Sequence, residues 1–271
     1  MMAVNGLNRG IDFEGGTLIQ IRIGKNIAVD EVRLIVDKFD KEASIVHSGE
    51  KKDEIQIKSK KDFNNKEIHQ IFNEFKEKYK LKDEDLVQSQ KFGPAMGKEI
   101  RQKALLSSAI AVVAMLIYIS WRFEFKFAIS AIIALAHDVL IMLSVYAIFR
   151  IPVNGSFIAA ILTILGYSIN DTIVIFDRIR ETRRLSRKDS YEKVVNDSIK
   201  KSLTRSINTS ITTLVTILLL YILGVEDVKI LAFPLIIGVA TGTYSSIFIA
   251  SPLWYVFKSK EKDAKYNARK A

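Results

Sequence analysis

The chain has 271 residues, 49% of them apolar and 26% charged, with a formal net charge of +10. Residues 1–100 carry 18 basic and 18 acidic side chains and the remainder 22 and 12, so the positive excess travels with long apolar runs, which points to a membrane and away from a nucleic-acid binder. The absence of cysteine excludes disulfides and thiolate metal sites, and the three histidines have no metal-ligand spacing.

Residues 1–16 read as a linker that carries GIDFEGGT, and MMAVNGLNRG lacks the form of a cleavable signal peptide. Residues 17–100 read as an α+β domain. TLIQIRI, from Thr17, alternates Ile19, Ile21 and Ile23 as a half-buried strand does. VDEVRLIVDKFDK, from Val29, sets Val32, Ile35, Val36 and Phe39 at helical spacing. ASIVHS and EIQIKS are short strands with the turn SGEKKD between them. NNKEIHQIFNEFKEKYK puts Ile68, Ile71, Phe72, Phe75 and Tyr79 on one face, and Asn64 with Glu67 resembles a capping box at its start. DLVQSQKF, from Asp85, closes the unit as a strand. The order β-α-β-β-α-β is the split-βαβ, ferredoxin-like pattern, which hosts many functions and selects none. His47 and His69 read as surface residues.

Residues 101–257 hold five apolar stretches: Ala104–Ser120, Phe127–Phe149, Phe157–Phe176, Ile207–Leu223 and Ile230–Phe257. About 20 such residues at 1.5 Å each cross a bilayer core. The fold class is therefore a polytopic helical membrane bundle with an attached α+β domain. The segment 178–205 and the tail 258–271 are rich in Arg and Lys, whereas RIPVNG and GVEDVKIL hold one basic residue each. The positive-inside rule makes the first two cytoplasmic, and five crossings then place residues 1–100 outside. Such a polar domain needs a route across the membrane, so a further span is expected ahead of it.

Charge inside the spans carries the chemistry. A charged side chain at mid-membrane costs about 2.5–3.5 kcal/mol on insertion scales. His137 and Asp138 sit near the middle of the second stretch, Asn170 and Asp171 near the end of the third, and Arg205 opens the fourth. Asp171 lies seven residues before Arg178, hence about 10 Å from the cytoplasmic end of its helix. Arg205 enters from that same side. Arg205, Thr209, Thr212, Thr213 and Thr216 share one polar helical face, expected to look at the bundle interior or a hydrated path. Burial disfavours a charged carboxylate and a nearby cation favours it. Separating Asp171 from Arg205 would thus draw a proton in, and reuniting them would expel it. A static ion pair that fixes helix register is the equally weighted reading. His137 and Asp138 read as support for a proton path or as an interhelical hydrogen bond. Gly238, Gly242, Ser246 and Ala250 form a small-xxx-small ladder for close packing within the chain, and Pro234 and Pro252 are expected kinks.

GLNRGIDFEGGT from Gly6, ALAHDV from Ala134 and GYSINDTIVIFDRIRE from Gly166 together resemble the SecD/SecF family of bacterial protein-export subunits. The GIDFxGGT form, with Gly10, Asp12, Gly15 and Gly16, is similar to the SecF type rather than to SecD. The resemblance covers nearly the whole chain. It implies a bacterial plasma-membrane protein of six spans, the first preceding this sequence. It implies SecD as partner, SecYEG and SecA in the larger pathway, and unfolded preprotein as substrate. No nucleic acid and no cofactor is implied, the energy source being the proton gradient. Asp171 and Arg205 match the family's proton relay, whose other carboxylate belongs to SecD. His137 and Asp138 match a family motif. Half of a small-molecule exporter from the same resistance-nodulation-division superfamily is an alternative, but such exporters are about twice this size. A non-transporting scaffold is another, but an anchor needs neither Asp171 nor Arg205. No phosphate loop, nucleophile elbow or metal cluster supports an enzyme.

Overall fold

The computed structural model describes residues 6–49 and 51–268, so Arg269 and Lys270 of the basic tail lie outside it. The chain forms two compact units, one of residues up to Leu105 with Tyr146–Ile158 and Leu220–Leu231, the other of the rest.

In the first unit a four-stranded sheet is built from β1 (Gly16–Arg22), β2 (Ser44–Ser48), β3 (Glu54–Ser59) and β4 (Leu86–Phe92). The strand order is β2-β3-β1-β4, every pair antiparallel. Ile19 faces Ile57 and Ile21 faces Ile55 across the central pair. The period-2 isoleucines therefore share one face, and α2 (Val29–Val36) and α3 (Asn65–Tyr79) cover it with Val32, Ile35, Ile68, Ile71, Phe72 and Phe75. Asn64 caps α3 reciprocally: its side chain accepts from Glu67 N at 3.0 Å and its own N–H donates to Glu67 Oε2 at 2.7 Å.

The stretch read as a linker is a one-turn helix, α1 (Ile11–Glu14), with Ile11 and Phe13 buried. Gly10 N donates to Val153 O at 2.7 Å and Val153 N to Asn8 O at 2.8 Å, so this stretch pairs with the loop before the third apolar helix. Asp12 Oδ2 accepts from Gly155 N at 2.8 Å, at the first residue of that helix. Four N–H groups are unsatisfied at a helix start and the dipole there favours a carboxylate, so Asp12 caps a span that begins 143 residues downstream. Gly16 has φ +142°, and a Cβ there would stand 2.1 Å from Ser59 O. Only glycine fits that entry into β1. Asp12→Ala is expected to cost about 1–2 kcal/mol, the worth of a lost cap. Thermal unfolding of the detergent-purified protein should show a lowered midpoint, largely restored in Asp12→Asn, and an unchanged midpoint in Asp12→Ala would refute the capping role.

Among the described residues, five helical stretches are long and apolar enough to cross a membrane: Ala95–Arg122, Phe125–Ile148, Gly155–Leu185, Tyr191–Leu223 and Glu226–Lys260. They are α4 (Pro94–Arg122), α5 (Phe125–Ile148), α6 (Gly155–Leu185), α7 (Tyr191–Leu223) and the pair α8 (Glu226–Ser245) and α9 (Ser251–Ala268). A π-helical turn, Ser246–Ala250, joins α8 to α9. Pro252 follows it, and a proline cannot donate to the residue four before it, so the register widens there. In the second unit α8 lies against α6 in steps of four residues. A Cβ on Gly238 would meet Ile164, one on Gly242 would meet Ser168, and Ser246 hydrogen-bonds Thr172 at 2.8 Å. The small-residue ladder thus serves packing within the chain.

Candidate functional site

Among the described residues of the second unit, two carboxylates are buried. Asp138, on α5, is fully buried. Its Oδ2 accepts from Ser168 Oγ of α6 at 2.7 Å and from Ser245 Oγ of α8 at 2.8 Å. His137 Nδ1 stands 3.2 Å from its Oδ1. Asp138 therefore ties three helices at one point, which a neutral apolar residue could not do. Asp171, on α6, is 4% exposed. Its one hydrogen bond among the described residues comes from Ser210 Oγ of α7, at 3.5 Å. Ser210 Oγ in turn hydrogen-bonds Thr243 Oγ1 of α8 at 2.6 Å. Asp138 thus meets a hydroxyl of α8 directly, through Ser245, and Asp171 is linked to α8 only through Ser210 and Thr243. Asp138 is well solvated by protein groups and Asp171 is poorly so.

Arg205 is exposed and makes no ion pair with Asp171 among the described residues. Of the polar face expected to look inward, Arg205, Thr212 and Thr216 are exposed, and Thr209 and Thr213 are half-buried. The inward face of α7 is a serine stripe, Ser198, Ser202, Ser206 and Ser210, at four-residue spacing. The physical reason is twofold. Serine is small enough for neighbouring helices to approach closely. The threonines satisfy their own hydroxyls along the helix: Thr209 donates to Arg205 O, Thr213 to Thr209 O and Thr216 to Thr212 O. A back-bonded threonine needs no partner and can stand outside. Asn170 is likewise exposed, while Thr209 and Thr213 are half-buried against Tyr167 of α6, whose hydroxyl donates to Thr209 O at 3.4 Å and to Thr213 Oγ1 at 3.2 Å. The static ion pair is therefore absent from this conformation.

Sequence reasoning missed Ser168, Ser210, Thr243 and Ser245, because short hydroxyl residues in an apolar run read as packing residues. The repeat of serine every fourth residue from Ser198 to Ser210 was the available signal. Ser202 Oγ and Ser206 Oγ are buried with no hydrogen-bond partner among the described residues. Together with Ser210 they trace a polar line from the basic end of α7 toward Asp171.

A family model described as protein export membrane protein SecD/SecF, C-terminal, matches residues 70–260, and one for the SecD/SecF GG motif matches residues 1–27. The protein translocase subunit SecF of Helicobacter pylori is 38% identical over 259 residues, which cover 92% of this chain and 78% of that protein. Its counterpart in Magnetococcus marinus is 39% identical over 253 residues, covering 92% and 81%. Among solved structures, SecDF from Thermus thermophilus, titled a translocon-associated membrane protein, superposes with a TM-score of 0.82 at 34% identity, covering 95% of this chain. A SecDF in a super-membrane-facing form superposes with a TM-score of 0.74 at 33% identity. This chain spans 35% and 37% of those two chains. Matched along nearly its whole length and in both signature regions, the chain belongs to the SecD/SecF family of protein-export membrane proteins, as a SecF-type translocase subunit.

Proposed function

We propose that this multi-pass export subunit acts with SecD to use the proton gradient for late preprotein movement, after SecA has driven entry through SecYEG. Asp171 carries the proton and Arg205 controls when it does so. Residues 1–100 lie outside the membrane, the basic connection between the third and fourth spans and the tail from 258 lie in the cytoplasm, and residues 101–257 hold the five spans.

The observation that carries this reading is the placement of Asp171: buried at mid-helix, held by a single 3.5 Å hydrogen bond from Ser210, which lies five residues along its helix from Arg205. A carboxylate kept for structure would be hydrogen-bonded as Asp138 is. The exposed side of α7 supports the partner. Arg205, Thr212 and Thr216 are exposed on a spanning helix, and an arginine exposed to lipid is costly. A second membrane subunit that covers this face removes the cost and can supply a further acid. Buried Ser202 and Ser206, without partners of their own among the described residues, suit a water-lined approach to Asp171.

Arg205→Ala tests the reading. Export of a secreted reporter, followed by pulse-chase with and without a proton uncoupler, should lose its gradient-dependent part by about tenfold or more, as removal of a group needed for proton transfer implies. Arg205→Lys, which keeps the charge, should retain part of it. Parental export in Arg205→Ala at equal membrane abundance would remove Arg205 from the mechanism.

A further inference from the structure

Five cations converge at one end of the second unit. Arg122 ends α4, Arg180, Arg183 and Arg184 lie on the last turns of α6, and Lys258 lies on α9. They line a cavity of about 450 Å³, a size within the roughly 300–1,000 Å³ of small-molecule sites. Among the described residues, two acids engage them. Asp177 pairs with Arg122 at 3.2 Å and Glu124 with Lys258 at 2.7 Å. Arg180 instead donates to Arg122 O at 3.0 Å, and Arg183 donates to Asp189 O at 2.9 Å. Arg184 is exposed, with no partner among the described residues. Among the described residues the four arginines therefore keep an excess of positive charge, and their guanidinium groups are held in place with most of their N–H donors unused.

The wall is as informative as the charge. Trp254 is buried and stacks on Phe127 at 4.6 Å with an interplanar angle of 12°. Tyr191 meets Trp254 edge-on at 5.9 Å and carries the Arg183 guanidinium over its ring at 4.5 Å. The indole Nε1–H of Trp254 is buried with no acceptor among the described residues, and a buried donor without an acceptor is costly. An apolar, aromatic wall, an unpaired donor and a cluster of cations lie together where four helical stretches begin or end. Membrane-interface tryptophan and tyrosine with basic pockets between spans are the features that hold anionic lipid headgroups.

We propose that this cavity binds the phosphodiester headgroup of an anionic phospholipid, with Arg180 and Arg184 on the phosphate and its acyl chains leaving along the apolar wall. A soluble phosphate would satisfy the cations but leave the aromatic wall without a partner. An acidic peptide would need several carboxylates in one cavity.

The chain has two tryptophans, Trp121 and Trp254, so Trp121→Phe leaves the cavity indole as the sole reporter. The protein in that background, purified in mild detergent, is titrated with brominated phosphatidylglycerol and with brominated phosphatidylcholine, and quenching is read. Phosphatidylglycerol should quench at much lower concentration. Arg180→Gln with Arg184→Gln should weaken it about 30-fold, at about 1 kcal/mol per basic residue. Arg180→Lys with Arg184→Lys should keep most of the preference, as should Arg187→Gln with Lys188→Gln, two basic residues outside the cavity. Equal quenching by the two lipids would overturn the proposal, and so would an equal loss in the Arg187/Lys188 pair. Displacement of the lipid by millimolar inorganic phosphate would assign the cavity to a soluble anion, and displacement by polyglutamate to a protein partner; either result overturns the lipid assignment.

Discussion

Asp171→Asn is expected to abolish the gradient-dependent part of export while leaving the protein folded and at parental abundance in the membrane. Asparagine has the size and shape of aspartate and can still accept from Ser210 Oγ, so the 3.5 Å contact survives. It has no proton to exchange over the relevant range. A neutral amide at mid-membrane is also less costly than a carboxylate, so insertion is not impaired. In a register-fixing ion pair the same change would strand a buried arginine and destabilise the bundle by about 3–5 kcal/mol. Arg205 is exposed and unpaired with Asp171, so no such penalty arises. The two readings therefore part on two measurements: membrane abundance by immunoblot, and reporter export with and without an uncoupler. A relay predicts normal abundance and about a tenfold or greater loss of the uncoupler-sensitive rate. Reduced abundance with proportionate export would mean that Asp171 is structural, and a full uncoupler response in the variant would remove it from the proton path.

The outer sheet could be read almost entirely from local signals. Ile19, Ile21 and Ile23 alternate because one face of β1 is buried and the other is not. The capping box at Asn64 needs only two side chains three residues apart. The spans were legible for a similar reason, since lipid demands an uninterrupted apolar run. What local signals leave open is which side of a spanning helix looks inward. On α7 both candidate faces are polar, one of threonine and arginine, the other of serine. Back-bonding lets Thr212 and Thr216 stand outside and small size draws the serines in, and neither effect changes a hydropathy pattern. The depth of Asp138 and Asp171 was legible because a carboxylate interrupts an apolar run, but their partners were not, because Ser168, Ser210 and Ser245 come from other helices. GIDFEGGT is illegible for the same reason. Its glycines read as a linker until Asp12 is seen capping Gly155.

Gly238→Ala is expected to be among the most damaging single-methyl changes in the bundle, and Ile164→Ala to rescue it. The new methyl would stand 2.4, 2.7 and 2.9 Å from Ile164 Cγ1, Cδ1 and Cγ2. Isoleucine in a helix has essentially one χ1 rotamer, so Ile164 cannot swing aside. The helices must separate instead, and overpacking of this kind costs about 1–3 kcal/mol. Separation would also stretch the contacts made further along the same seam, where Ser246 meets Thr172 and Ser245 meets Asp138. Ile164→Ala alone leaves a cavity, at a cost of about 2–5 kcal/mol. In the double variant the methyl added at position 238 occupies part of that cavity and all three close contacts are gone, so the two losses should not add. Thermal midpoints of the four detergent-purified proteins measure the coupling directly. A double variant more stable than either single one establishes that Gly238 is kept for the approach of α8 to α6. Strictly additive losses would mean that the two helices are held apart by something other than Ile164, and that the seam which positions Ser245 against Asp138 does not depend on the glycine.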